Sequence, residues 1–497
     1  MRSGPRIPSW RIFWRKRISV NFVRAAFGGL VLALAGSLGA EEALLKIGIV
    51  ADPHLETELE SASCRHLEDA YRYFERRGAD GVVMPGDLTT WGLVPQLRNV
   101  AAIWKRVFPD NRRRDGGFVE KLFVYGDHDV GGYMQDRVTS LTDVQRKAWT
   151  IPWNDRKAQW EKAFGEPWSP VQVKDVKGYR FYLAHLLMDK DDPNHRQAGV
   201  DLDALEAAFA AQPPPAAPKP FFYVQHLILR DTAGGPCAGG DKGKTKALLS
   251  KYPNAVTFSG SAHIMATDEK CAWMGAFAAF EAPGLCGVLT GGGRENGFGG
   301  SDQKRMPIVP APQMKRINGY PLRSWQGLFM TVCTDRIVVE RIDFADGQPL
   351  APAWEFEVTP GGPRFCAAAD AWERVPPAFA KGTKPTVEIR MGKDAAGKDA
   401  EQYVVTFPVL KEPRAYEYEV TVRLVRDDVE RIVTQRRVYS PEAIRSVRYE
   451  PDAMEALIAV SEICTNYRRL VFEVRPLDSF GRKGLPISAS LKNERWK

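Results

Sequence analysis

The chain is 497 residues long, 44% hydrophobic and 26% charged, a globular composition with room for two or three domains at ~100 to 200 residues each. Its formal charge of +8 lends no support to a nucleic-acid partner, because Arg2, Arg6, Arg11, Arg15, Lys16, Arg17 and Arg24 supply nearly all of it and leave +1 from residue 25 onward. The seven cysteines contain no CxxC pair, which argues against a zinc ribbon or a thiol redox motif.

Residues 1–24 are basic without an acid, and Ala25 to Ala40 is an uncharged, mostly apolar run ending in small residues. Such a segment reads as a secretory signal peptide over 1–40, since 16 residues fall short of a membrane span of ~20. No membrane span is expected after cleavage, and the mature chain is expected in the periplasm or outside the cell. In such a compartment Cys271 and Cys286 are the candidate disulfide, with scattered buried thiols as the alternative.

Five short apolar runs then share one design, each strand-like and each stopping at Asp or His. Leu44 to Val50 precedes Asp52-Pro53-His54, Gly81 to Met84 precedes Gly86-Asp87, and Leu122 to Tyr125 precedes Gly126-Asp127-His128-Asp129. Phe221 to Val224 precedes His226, and Ala255 to Phe258 precedes Gly260-Ser261-Ala262-His263. Between the first two, Leu67, Ala70, Tyr71 and Phe74 follow a helical period closed by Gly78. Leu93, Leu97, Val100, Trp104 and Phe108 mark a second helix, and Asp201 to Gln212 a third that Pro213-Pro214-Pro215 ends. Strands alternating with helices predict βαβ units whose ligands gather beyond the carboxyl ends of the strands, where the acids and imidazoles sit.

The tryptophan-rich stretch from Trp149 to Trp168 reads as core packing rather than a cleft cap. Phe329 to Val332 and Arg336 to Ile342 read as edge strands completing a first domain over 41–360. A Pro- and Gly-rich linker over 361–385 follows, and several alternating stretches at short spacing predict a β-sandwich over 386–497. Ala238 to Thr245 nearly matches a phosphate-binding loop but lacks its first glycine, and reads as a flexible loop. The Gly-rich stretch from Gly291 to Gly300 is a candidate cleft rim or a plain surface loop. His66 and His195 read as structural or exposed. His185 reads as a core histidine, with the alternative that it supplies an imidazole missing elsewhere.

Two divalent ions need a bridging carboxylate with oxygen and nitrogen ligands on each flank. Asp52 and His54 project to one side of an extended segment, Asp87 can bridge from the next strand, and His226 and His263 add imidazoles. The order Asp-x-His, Gly-Asp, Gly-x-His-Asp, His, Gly-x-x-His resembles that of the calcineurin-like metallophosphoesterase family over residues 45–358. Ser259 to Asp268 with Trp273 resembles the closing block of its exported bacterial branch. The last domain resembles a fibronectin type III module, with Leu470 to Gly481 like its final strand and turn.

The resemblance implies an α/β chain, a four-layer α/β/β/α sandwich, followed by an all-β domain. It implies one or two divalent ions (Mn, Fe, Zn or Mg) and hydrolysis of a phosphomonoester or phosphodiester substrate through a metal-bound hydroxide. The first ion would be held by Asp52, His54, Asp87 and His263, the second by Asp87, Asp127, His226 and the residue at 261. His128 would serve the leaving group and Asp129 would orient His128. Asp127 stands where the family has asparagine and Ser261 where it has histidine, which shifts the second site toward harder ions and weaker binding. The alternative is an impaired phosphoesterase acting as a binding protein. An extracellular or cell-surface partner through the C-terminal domain fits either reading.

Overall fold

The computed structural model describes residues 42–129, 142, 155–188, 198–234, 243–285, 325–366, 375–393, 398–412, 414–426, 429–444, 452–463 and 467–493. The expected signal segment, Cys286 and the Gly-rich stretch 291–300 lie outside them, as do residues 235–242 of the near phosphate loop and 149–154 of the tryptophan-rich stretch.

The five apolar runs are five strands. Three of them, β1 (Leu45–Ile49), β2 (Gly81–Pro85) and β3 (Glu120–Val124), pair in parallel in one sheet. The other two, β8 (Phe221–Val224) and β9 (Ala255–Ser259), pair in parallel in a second sheet. The first sheet has the order β15-β14-β13-β12-β1-β2-β3, extended by β12 (Gln326–Val332), β13 (Ile337–Asp343), β14 (Gln348–Thr359) and β15 (Gly362–Phe365). β15 thus adds an edge strand inside the segment expected to be linker from 361. The second sheet has the order β10-β11-β9-β8-β5-β4 and includes β4 (Val171–Val176), β5 (Tyr179–Ala184), β10 (Ala272–Met274) and β11 (Ala278–Glu281).

Apolar patterning decides what packs where. α1 (Ala62–Arg77) opens on Ser61, whose hydroxyl accepts the Cys64 N–H, and closes on Gly78 in the left-handed conformation. Its Leu67, Ala70, Tyr71 and Phe74 join Leu97, Val100 and Trp104 of α2 (Val94–Val107) in one core with Val82 and Met84 of β2. A second core interleaves Ile47 and Ile49 of β1 with Phe181, Phe222 and Phe258 of the other sheet. A third joins Leu205 and Phe209 of α3 (Leu202–Ala211) to Tyr182, Phe221 and Tyr223. Each parallel strand is therefore buried on both sides, which is why these runs are almost continuously apolar instead of alternating.

Beyond residue 385 the strands are antiparallel. One sheet is β16-β17-β20 (Thr386–Lys393, Asp399–Pro408, Ala453–Ala459), and the other is β19-β18-β21-β22 (Val429–Tyr439, Glu417–Arg426, Arg469–Leu477, Ile487–Lys492). Tyr403, Phe407 and Ile458 of the first sheet share a core with Val420, Phe472 and Val474 of the second. Among the described residues no helix is long and apolar enough to cross a membrane.

Candidate metal centre

The ends of the five strands meet. β1 releases Asp52 and His54, β2 releases Asp87, β3 releases Asp127 and His128, β8 releases His226 and β9 releases His263, so the two sheets contribute to one cluster. Among the described residues three groups of side chains bring their ligand atoms within 4.8 Å of one another: Asp52 with His54 and His263, His54 with Asp87 and His128, and Asp52 with Asp87 and His226. Holding them there requires unusual backbone. Asp52, His54, Asp87, Ser261 and His263 all have positive φ, between 44° and 73°, a conformation that costs a non-glycine residue roughly 1–2 kcal/mol and tends to persist where function over-determines it.

Two glycines let the strands converge. A Cβ at Gly86, which has φ of 95°, would sit 2.5 Å from His226 Nδ1, and one at Gly126 would sit 2.2 Å from Asp87 Oδ1. Only glycine fits either position.

The central carboxylate is Asp87. Its Oδ1 lies 3.3 Å from His226 Nε2 and accepts the His128 N–H at 2.9 Å, while its Oδ2 lies 3.5 Å from His54 Nε2. His54 Nε2 and His263 Nε2 are 3.1 Å apart, and His263 Nε2 is 3.4 Å from Asp52 Oδ1. Both Asp52 oxygens accept the Ser261 N–H at 3.0 Å. Asp127 lies outside the three groups, with Oδ1 2.8 Å from His226 Nε2.

This donor set fits a divalent cation. His226 Nδ1 is 2.8 Å from the Pro85 carbonyl, which can only accept, so Nδ1 carries the hydrogen. A neutral His226 then aims the Nε2 lone pair at Asp87 and Asp127, a repulsive arrangement unless a cation or a proton lies between them. The same imbalance sets the acid–base behaviour. Burial opposes the charged form of His226, yet Asp87 and Asp127 push its pKa well above the usual value. Burial likewise works against charge on Asp127, and the His226 contact overcomes it to hold the carboxyl at about 2. Burial and the neighbouring Asp127 raise Asp87. Burial, then His263, His128 and His226, lower His54 well below its usual value and keep it neutral, the form that ligates. Nitrogen and oxygen donors of this kind suit Mn, Fe, Zn or Mg.

No family model matches the chain, and no curated protein matches it. Solved structures that the chain resembles include one of a conserved uncharacterized protein from Streptococcus pneumoniae, described as a predicted phosphoesterase. The likeness is 10% identity at a TM-score of 0.24, covering 65% of this chain and 97% of that one. A likeness that faint carries no argument about fold or activity, so the functional reading rests on the residues themselves.

His128 stands at the rim. Its Nδ1 is 2.7 Å from the Thr90 carbonyl and its Nε2 is 3.9 Å from Asp87 Oδ2. Burial lowers its pKa, but Asp87 and Asp127 outweigh that and raise it.

Asp129, expected to orient His128, makes its hydrogen bonds elsewhere. The Thr90 carbonyl lies on His128 Nδ1, while Asp129 is occupied by four donors. Its Oδ2 accepts from Leu88 N and Gly126 N, and its Oδ1 from Thr89 N and Thr89 Oγ1, at 2.8 to 3.0 Å. It is a latch between the segments that follow β2 and β3. Burial and Asp87 push its pKa up to about 7 against those donors.

His185 lies outside the three ligand groups found among the described residues. It is fully buried among Tyr125, Trp160 and Trp168, with Nδ1 accepting the Tyr125 N–H at 3.0 Å. One contributor escaped sequence reading altogether. Glu281, fully buried, accepts the Ala262 N–H and the Ser259 hydroxyl beneath the turn that carries His263. The signal existed, since β11 is an apolar strand that stops at an ionisable side chain, as the other five stop at Asp or His.

Proposed function

We propose that the chain is a metal-dependent phosphoesterase. The observation that carries this is the convergence of Asp52, His54, Asp87, His226 and His263 from two sheets, with their ligand atoms mutually within 4.8 Å in overlapping groups around Asp52, His54 and Asp87. Asp52, His54, Asp87 and His263 would hold one divalent ion, and Asp87, Asp127 and His226 a second. A bound ion supplies Lewis-acid stabilisation of phosphoryl oxygens and a water acidified toward neutral pH.

The protein's own groups do the rest. Asp87 fixes the spacing of His54, His128 and His226. Thr90 holds His128 by Nδ1, and Nε2 is the atom that gives a proton to the departing oxygen. Asp87 and Asp127 outweigh burial and raise the pKa of His128, which favours the protonated form that gives it.

The order of the three cores, helices on strands on strands on helices, supports the four-layer sandwich, and the two antiparallel sheets after residue 385 support the fibronectin type III-like reading. Export with removal of residues 1–40 and a cell-surface partner for the C-terminal domain belong to the same proposal. Mass and N-terminal sequence of the mature protein test the export.

A second reading, a binding protein with impaired turnover, draws on Ser261, which offers no imidazole where a second ion would want one. Metal content after incubation with Mn, Zn or Fe, together with hydrolysis of a p-nitrophenyl monoester and diester, decides. Activity lost in Asp87→Asn and His263→Ala supports the phosphoesterase. Activity appearing only in Ser261→His supports the binding protein.

A further inference from the structure

The turn that carries His263 does not end at the candidate centre. From Gly260 it runs through Met265, Thr267 and Asp268, all buried, to the short helix Glu269–Cys271 before β10 begins. Near the centre it is pinned by the Ser261 N–H on Asp52 and the Ala262 N–H on Glu281. Farther on, the Ala266 N–H donates to Gln326 Oε1, and Glu269 receives Arg341 Nη1 at 2.6 Å and Trp354 Nε1 at 2.7 Å.

Further anchors lie in the C-terminal β-sandwich. Thr267 Oγ1 donates to the Ala443 carbonyl at 2.7 Å, and the Glu269 N–H donates to Ser479 Oγ at 3.0 Å. Met265 is fully buried in a small apolar cluster with Tyr416 and Ala443, flanked by Tyr439. The side chains of 265 and 267 and the N–H of 269 therefore meet the sandwich, beginning two residues after His263. His263 itself has φ of 51° and Ser261 of 73°, so this turn is strained and must be held by what surrounds it.

We propose that the C-terminal sandwich acts as a positioning element for the candidate centre, with Thr267 and Ser479 as positioning residues that hold the His263 turn in its ligating conformation. The metal part of this inference rests on the proposed function, whereas the mechanical coupling does not. Partners one shell out from a ligand typically govern metal affinity by about 10–100-fold, and Thr267 and Ser479 act on His263 through a rigid turn of a few residues.

The test uses the full chain carrying Thr267→Val with Ser479→Ala, the conservative pair Thr267→Ser with Ser479→Thr, and Tyr403→Phe as a sandwich control away from the turn. Mn2+ alone is titrated by calorimetry, and amide hydrogen exchange is followed over residues 261–266. The Val/Ala pair is expected to weaken Mn2+ binding about 10-fold and to speed exchange over 261–266. The conservative pair is expected to restore both, and Tyr403→Phe to change neither. Wild-type exchange over 261–266 in the Val/Ala pair overturns the inference, as does an equal effect from Tyr403→Phe. Should the wild-type chain take up no ion, the phosphoesterase reading falls, and the exchange result alone decides the coupling. Should the double variant fail to fold, Ser479→Ala by itself is read in the same way.

Discussion

At the scale of single residues, acid–base chemistry separates His128 from His185. His128 is held by Thr90 and drawn upward in pKa by Asp87 and Asp127, while its ring contributes to only one of the three ligand groups. His128→Ala is therefore expected to lower turnover by about 10²–10⁴-fold with metal content preserved, as measured by single-turnover kinetics beside elemental analysis; equal losses would make it a ligand. His185 behaves oppositely, because burial, helped by Lys174 and Arg156, pushes it down to about 3. The folded chain keeps it neutral while the unfolded chain protonates it near 6.5, so the unfolded state binds the extra proton as pH falls and stability drops by ~1.4 kcal/mol per pH unit between those values. Against His185→Asn, the wild type should lose about 2 kcal/mol more on going from pH 7 to pH 5, read from urea midpoints. Residue types and their order pointed to His128 and the candidate ligands, but which groups Asp129 bonds depends on how two loops lie beside each other. Its four donors come from Gly126 and from Leu88 and Thr89, the latter two about forty positions earlier, a pairing that no local pattern encodes.

Among the elements, the parallel strands were legible because each is a short apolar run closed by a polar group, a signal that needs no long-range knowledge. The β4–β5 hairpin is less legible. β4 carries Gln172, Lys174 and Asp175 and reads as surface, though Lys174 is tied to Glu120 and Glu166 at the sheet edge. β15 is hidden for another reason, since Gly362 and Pro363 look like a linker but pair with Thr359 and Val358 at the margin of the first sheet. The strand ends also set how tightly the centre is built. With Asp87 Oδ1 2.2 Å and Asp87 N 2.3 Å from a Cβ at position 126, Gly126→Ala forces apart the segments following β2 and β3. The expected result is destabilisation of about 1–3 kcal/mol by thermal unfolding, accompanied by weaker ion uptake, whereas Gly78→Ala, whose Cβ meets nothing within 4 Å, pays only the left-handed penalty.

For the molecule as a whole, the centre is where the carboxyl ends of strands from both sheets bring titratable side chains together. Asp52, Asp87 and Asp127 come from the first sheet and His226 and His263 from the second. An ion there would bridge the layers, and removing it by chelation should lower the unfolding temperature while leaving far-ultraviolet dichroism intact. By mass action, free ion at about 100 times its dissociation constant adds roughly 2.7 kcal/mol to stability, so the unfolding temperature should climb with added Mn2+ until the site saturates. The consequence reaches beyond catalysis. A chain whose two sheets are stapled by a scavenged ion would have a lifetime set by its surroundings, resisting proteases where divalent ions are plentiful and being cleared where they are scarce.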